Sequence, residues 1–242
     1  MRIVTWNIER KAPESAASRT MLARIATLEP DIVCLTEAHE GSPASFGGHA
    51  LFDVGASWGG EAPSERKVAL VSRTPWRDVT PLPDLSALGG AISATTDTDL
   101  GPVRVVGVCT PHHFASPGGA LPRPPLWSMH IAYFKALGAA LEGMGREQPT
   151  VIVGDFNQFL PLVWGSWDAH HALTHALRHF SVVTQGAIEP VGEPTIDHVA
   201  IGKQLRAAKV ESLDRFNESG QALSDHFGVA VDLESGGVQI FD

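Results

Sequence analysis

Nowhere in the 242 residues is there a run of about 18 apolar residues, so no membrane-spanning helix is expected. The opening Met1-Arg2-Ile3-Val4-Thr5-Trp6 enters a strand-like pattern without a charged-then-apolar leader, and cytoplasmic residence is the expectation. Only two cysteines occur, Cys34 and Cys109. Each sits in an apolar strand-like run, which favours a buried free thiol over a disulfide or a metal site. Basic residues are few, 18 against 27 acidic ones for a net charge of −9, and they are scattered. A protein that tracks long nucleic acid usually presents a basic face, so this balance counts against a tight or processive binder. It does not exclude one, because acidic residues gathered around a metal give the same sum. Internal repeats, low-complexity tracts and a dividing linker are also missing. The Pro/Gly-rich stretches 41–63 and 111–125 read as long loops within a single domain, residues 1–242. A monomer is expected.

What is present is an interleaving of strand and helix patterns. Strand-like runs occupy 2–8, 31–37, 68–72, 91–95, 103–110, 151–155, 194–201 and 223–231. Segment 15–28 places Ala17, Met21, Ile25 and Leu28 at helical spacing before Pro30, and 126–144 does the same with Ile131, Phe134, Leu137 and Leu141. Several strands read as buried on both faces. That pattern suits a layered α/β sandwich better than an all-β barrel.

The most suggestive stretch is Val151-Ile152-Val153-Gly154-Asp155-Phe156-Asn157. Three β-branched residues make a buried strand, and alternation would turn Asp155 and Asn157 to one side and Phe156 to the other, into the core. Taken alone, Gly-Asp-x-Asn is most simply a turn. Partners elsewhere must decide. Trp-Asn-Ile at 6–8, Pro-Asp-Ile-Val-Cys-Leu-x-Glu at 30–37, Gly-Asp-Phe-Asn at 154–157, Ile-Asp-His at 196–198 and Ser-Asp-His at 224–226 provide them.

Each motif is weak singly. In this order and spacing, over nearly the whole chain, they resemble the endonuclease/exonuclease/phosphatase superfamily, the DNase I-like fold that includes abasic-site endonucleases, inositol polyphosphate phosphatases and neutral sphingomyelinases. The resemblance implies a four-layered α/β/β/α sandwich, two packed mixed β-sheets flanked by helices. It also implies a phosphoesterase using Mg²⁺ or Mn²⁺, a hard ion that takes oxygen ligands. Glu37, Asn7 and Asp225 are the implied metal ligands. Asp155 is the implied acceptor of the attacking water's proton, with Asn157 orienting the water or a phosphate oxygen. His226, its tautomer fixed by Asp197, and His112 are the implied donors to the phosphate. The family more often has Thr-His where this chain has Thr110-Pro111-His112-His113, so His113 is an alternative to His112.

Singly, Asn7 could end a strand, Glu37 could be a surface carboxylate and Asp225 a cap. For Asp197 with His226, the structural alternative is a core hydrogen bond. His198 is expected to face away from the site. Trp164 and Trp167 follow the Gly-Asp-Phe-Asn loop and Trp127 follows the Pro-rich loop, and they could stack on a base or sugar or simply pack; Arg123, together with Arg66 and Lys67, is a candidate for charge near substrate, against a solvated surface charge. His171, His175 and His179 recur at i, i+4, which leaves a zinc-binding pair open against a solvated or packed helix face. The leading expectation is a phosphodiesterase, an endonuclease or exonuclease acting on nucleic acid. A phosphatase or phosphodiesterase for a small phosphorylated metabolite or lipid head group is the first rival. A catalytically silent phosphate-binding module is the second.

Overall fold

Strand alternation divides the apolar residues of this chain among three separate layers of core. In the computed structural model, which describes residues 1–54, 62–116 and 123–237, the strands are β1 (Arg2–Asn7), β2 (Ile32–His39), β3 (His49–Phe52), β4 (Glu65–Ser72), β5 (Arg77–Pro81), β6 (Gly90–Thr98) and β7 (Gly101–Cys109). They continue with β8 (Thr150–Asp155), β9 (Ser181–Val182), β10 (Ala187–Ile188), β11 (Glu193–Pro194), β12 (Asp197–Ile201), β13 (Leu205–Leu213) and β14 (Gly228–Ser235). Helices are α1 (Ala16–Thr27), α2 (Pro83–Ser86), α3 (Ser128–Gly143) and α4 (Trp167–Ala176). One six-stranded sheet has the order β13-β14-β1-β2-β4-β3, the other β5-β6-β7-β8-β12-β9, and β10 pairs with β11. Both large sheets are mixed, with β1 parallel to β2 and β7 parallel to β8.

The two sheets pack face to face through Ile3, Ile32, Cys34, Leu70, Val105, Val151, Val153 and Val199. Neighbouring residues on the same strands point outward. Val4, Trp6, Val33 and Leu35 meet Met21, Leu22 and Ile25 of α1, while Val106, Val108 and Ile152 meet Phe134 and Leu137 of α3 and Leu173 of α4. Strands covered on both faces read as continuous apolar runs, which is why these elements were visible in the sequence. The result is the α/β/β/α sandwich expected.

Several elements depart from expectation. The 41–63 stretch is not loop throughout, since a 3-10 turn at Ser42–Ser45 and β3 lie within it. β3 is an edge strand with an exposed start, so it lacks the apolar run that marks a central strand. β13 was also missed. Leu-Arg-Ala-Ala-Lys-Val-Glu-Ser-Leu is an edge strand carrying charge along its exposed side, with a register shift between Ala207 and Lys209. Helix α4 stops at Ala176, which puts His179 past its end rather than on one face with His171 and His175. Cys34 and Cys109 are free and buried, as expected. Among the described residues no helix is long and apolar enough to cross a membrane.

Candidate active site

Topology brings the separated motifs to one end of the sandwich. Parallel β1 and β2 deliver Asn7 and Glu37 at their C-terminal ends, and β8 delivers Asp155. Antiparallel β12 begins opposite that point, with Asp197 in register with Asp155. β14 runs antiparallel to β1, so the loop just before it sets Asp225 and His226 beside the end of β1. Trp6 fastens this loop through its indole N–H to the His226 carbonyl at 3.0 Å, and the Ser224 hydroxyl donates to the Asn7 carbonyl at 2.7 Å.

Gly154 sets the direction of Asp155. Its φ of +139° is closed to other residues, and a Cβ there would lie 1.9 Å from the Val108 carbonyl oxygen. Asp155 Oδ1 accepts the Asn157 backbone N–H at 2.8 Å. Its Oδ2 accepts the side-chain amides of Asn7 at 3.0 Å and Asn157 at 3.1 Å. Asn157, at φ 48°, also donates to the Thr110 carbonyl at 2.9 Å. Phe156 turns away and is fully buried against Phe134 and His198. The turn is therefore a carboxylate held by three donors.

Next to it, His226 Nδ1 lies 2.5 Å from Asp197 Oδ2. Burial alone would lower the imidazole's pKa, but the charge and hydrogen bond of Asp197, with Asp155 and Asp225 behind, raise it to about 10. Asp155 moves up to about 7, pushed first by burial and then by the charge of Asp197, against the pull of His226. Asp155, Asp197 and His226 bring ligand atoms within 4.8 Å of one another, and the described residues contain no other cluster of this kind. The histidines of the α4 region accordingly form no such group. His179 faces Glu142 at 3.6 Å, while His171 and His175 line an open groove between α3 and α4.

Glu37 stands in the left-handed region, φ 49°, where β2 skips one pairing with β4 between Thr36 and Ala38. Its Oε1 accepts from Lys67 Nζ at 2.9 Å and from Arg10 at 3.0 Å. Burial works against ionisation of Glu37, yet these two cations bring its pKa below the usual value. Lys67 was expected as charge near the substrate, and Arg10 was not singled out from sequence. Both cations are bonded to Oε1. The Asp225 side chain is 70% exposed and 3.8 Å from His226 Nε2. Asn7 Oδ1 accepts the Glu9 N–H at 2.9 Å and keeps a second lone pair.

These donors fit a hard divalent cation. Asp155 and Asp197 are almost fully buried beside each other, Asp197 Oδ1 has no hydrogen-bond partner, and with His226 their ligand atoms lie within 4.8 Å of one another. Such an excess of buried oxygen is what Mg²⁺ or Mn²⁺ relieves.

His112 and His113 diverge. Burial and the neighbouring His113, Lys67 and Arg10 lower the pKa of His112, with Glu37 opposing, so His112 belongs electrostatically to the Glu37 group. His112 also packs on Phe114, at 4.1 Å between ring centroids, while His113 packs among Phe114, Trp127 and Trp164. Trp167 lies apart at the start of α4 against His170 and His171, and Arg123 is exposed. His198 faces away from the site as expected, bonding the Gln158 carbonyl and Thr184.

A carboxylate poised near neutrality and a charged histidine oriented by a second carboxylate define an acid–base centre at a strand-end rim, with ligand atoms close enough together to hold an ion. The chain belongs to the Endonuclease/Exonuclease/phosphatase family, whose model matches residues 4–226. Solved structures share its fold. An endonuclease/exonuclease/phosphatase from Beutenbergia cavernae is 20% identical, covering 98% of this chain and 72% of that one at a TM-score of 0.66. An AP endonuclease from Archaeoglobus fulgidus is 16% identical over 96% and 98%, TM-score 0.68. Danio rerio TDP2, solved with a single-strand DNA product, is 10% identical over 97% and 98%, TM-score 0.68. No curated protein sequence matches the chain.

Proposed function

We propose that this protein hydrolyses a phosphodiester with the help of Mg²⁺ or Mn²⁺. The observation that carries the reading is the pairing of a triply hydrogen-bonded Asp155 with the His226–Asp197 couple. A general base works best with a pKa near the working pH, and Asp155 lies at about 7. It takes the proton of a water whose oxygen attacks phosphorus, while the bond to the leaving oxygen breaks on the opposite side. Asn7 and Asn157 fix the carboxylate's orientation. His226, charged at neutral pH, offers its Nε2–H to a phosphoryl oxygen as negative charge builds there. Asp197 keeps the other nitrogen occupied. His112 would make a second contact to the phosphoryl group.

Glu37, Asn7 and Asp225 would hold the cation, which supplies Lewis-acid polarisation of the phosphoryl group. Nucleic acid is the favoured substrate, as in the DNA-bound relative, with a small phosphorylated metabolite or lipid head group as the rival. Retention of the whole acid–base set argues against a silent binding module.

The test is turnover of bis(p-nitrophenyl) phosphate and of single-stranded and abasic-site DNA with Mg²⁺, before and after EDTA. Asp155→Asn should lower kcat by about 10²–10⁴-fold. Wild-type turnover that persists in Asp155→Asn, or in EDTA, would remove this mechanism.

A further inference from the structure

The rim beside Asp155 carries an aromatic surface that the acid–base chemistry leaves unused. His113 lies 4.5 Å from Phe114, 5.0 Å from Trp164 and 5.4 Å from Trp127 between ring centroids, and the two indoles are 5.6 Å apart. Trp164 is 57% exposed and Phe114 54%, so these rings face solvent instead of completing a core. Burial would be the default for such residues.

The assembly is built, not incidental. Trp127 adopts φ 67°, a left-handed conformation that costs a bulky residue energy and persists only where its surroundings fix it. Its backbone N–H donates to the His113 carbonyl at 2.7 Å. Gly165, at φ +123°, leaves room for the indole, since a Cβ there would lie 3.0 Å from two of its carbons. Beneath, the fully buried His130 bonds the Pro111 carbonyl through Nδ1 at 2.9 Å.

The shelf is tied to the site. Thr110 donates its N–H to the Asp155 carbonyl at 2.9 Å and accepts Asn157 Nδ2 on its own carbonyl. Three residues then lead to His113, a reach of at most about 11 Å. That is the scale of a single nucleotide.

We propose that Phe114, His113, Trp127 and Trp164 form a stacking shelf for one unpaired nucleobase beside the Asp155 site. The inference rests on the phosphoesterase reading above and names its substrate class, a nucleotide ester presented singly or at an unpaired end. A base inside a duplex has both faces covered by its neighbours and cannot lie on such a surface. Stacking accepts any base because each presents a π-face. A net charge of −9 disfavours a long polyanion and an anionic membrane surface alike. Affinity must therefore come mainly from the ring and not from the backbone.

Two matched esters separate the contributions: adenosine 5′-(methyl phosphate) and the methyl phosphate of O-methyl ribose, which lacks the base. The wild type with Mn²⁺ should favour the base-bearing ester in kcat/KM by about 5–100-fold. Trp164→Ala should collapse that ratio toward unity, and Trp164→Phe should restore most of it. AMP, but not ribose 5-phosphate, should quench tryptophan fluorescence. Equal kcat/KM for the two esters in the wild type would overturn the shelf while leaving the phosphoesterase intact. AMP quenching that Trp164→Ala abolishes, with neither ester hydrolysed, would keep the shelf and remove the phosphoesterase. Fluorescence that responds to phosphatidylcholine vesicles and not to AMP would assign the rings to a lipid surface and overturn the proposal.

Discussion

Asp197→Asn tests the electrostatic argument at its centre. The change keeps the shape of the side chain and removes the charge that holds His226 as an imidazolium through a 2.5 Å contact. The raised pKa of His226, about 10, means that the fold favours its protonated form. For a group raised in this way the stabilisation is complete below the unfolded value and fades as pH rises through the folded one. With an unfolded value of about 6.5, linkage gives about 4–5 kcal/mol at pH 6 and about 1 kcal/mol at pH 9.5. A separate route, breaking one partner of a buried ion pair, gives about 3–5 kcal/mol. The two agree at neutral and lower pH. Urea denaturation of wild type and Asp197→Asn at pH 6 and at pH 9.5 should therefore show a gap of several kcal/mol that narrows to about 1 kcal/mol. The His226 ring resonances should titrate at lower pH in the variant. A stability gap that stays the same at both pH values, or one below about 1 kcal/mol at pH 6, would refute the charged-pair account.

Two further outcomes follow from other buried charges. Lys67→Met should strengthen Mn²⁺ binding, because it removes a positive charge 2.9 Å from Glu37 Oε1. A unit charge about 4 Å from a divalent ion costs about 2 kcal/mol even in water, or about 30-fold in Kd by titration calorimetry, and an unchanged or weaker Kd would place the ion away from Glu37. On the acid side, His130 and His198 are fully buried, and burial pushes each pKa down to about 4. A depressed histidine stabilises the fold above its unfolded value and loses that contribution as pH falls. Replacing either by Gln should therefore flatten the decline in Tm between about pH 6.5 and pH 4, and a decline as steep as in the wild type would count against it.

The sandwich was legible because its central strands are apolar on both faces and end abruptly in Asn, Glu or Asp. Apolar runs over 31–37, 103–110 and 151–155 located β2, β7 and β8, and the Asp-His pairs located the two antiparallel strands that complete the site. Edge strands β3 and β13 were not legible. One side of an edge strand meets water, and its composition then resembles a loop. Within the site, the motif resemblance singled out Asp155, Asn157, Asp197 and His226, which the fold brings together, while the pairing of Glu37 with Lys67 and Arg10 was invisible. Lys67 stands opposite Glu37 in the register of β2 with β4, and no sequence periodicity records that register. Phe114 likewise carried no signal, since a ring after two histidines in a Pro-rich loop reads equally as packing.

Asn7 shows why contact geometry adds to a motif. From the Trp-Asn-Ile pattern it was expected beside the metal. In the fold its amide nitrogen donates to Asp155 and its oxygen accepts from Glu9, whose chain neighbour Arg10 holds Glu37. One side chain thus bridges the general base and the segment that holds the cation's carboxylate. Rotating the amide would leave its oxygen against the Asp155 carboxylate and its nitrogen against the Glu9 N–H, unfavourable at both ends. Its orientation is therefore locked from two sides. An Asn at this position can serve the ion through oxygen and the base through nitrogen at once. Aspartate, of nearly the same shape, would set a second negative charge 3 Å from Asp155 and raise its pKa further. The amide at residue 7 thus joins the charge of His226 and the Asn157 backbone N–H in opposing the upward push of burial on Asp155.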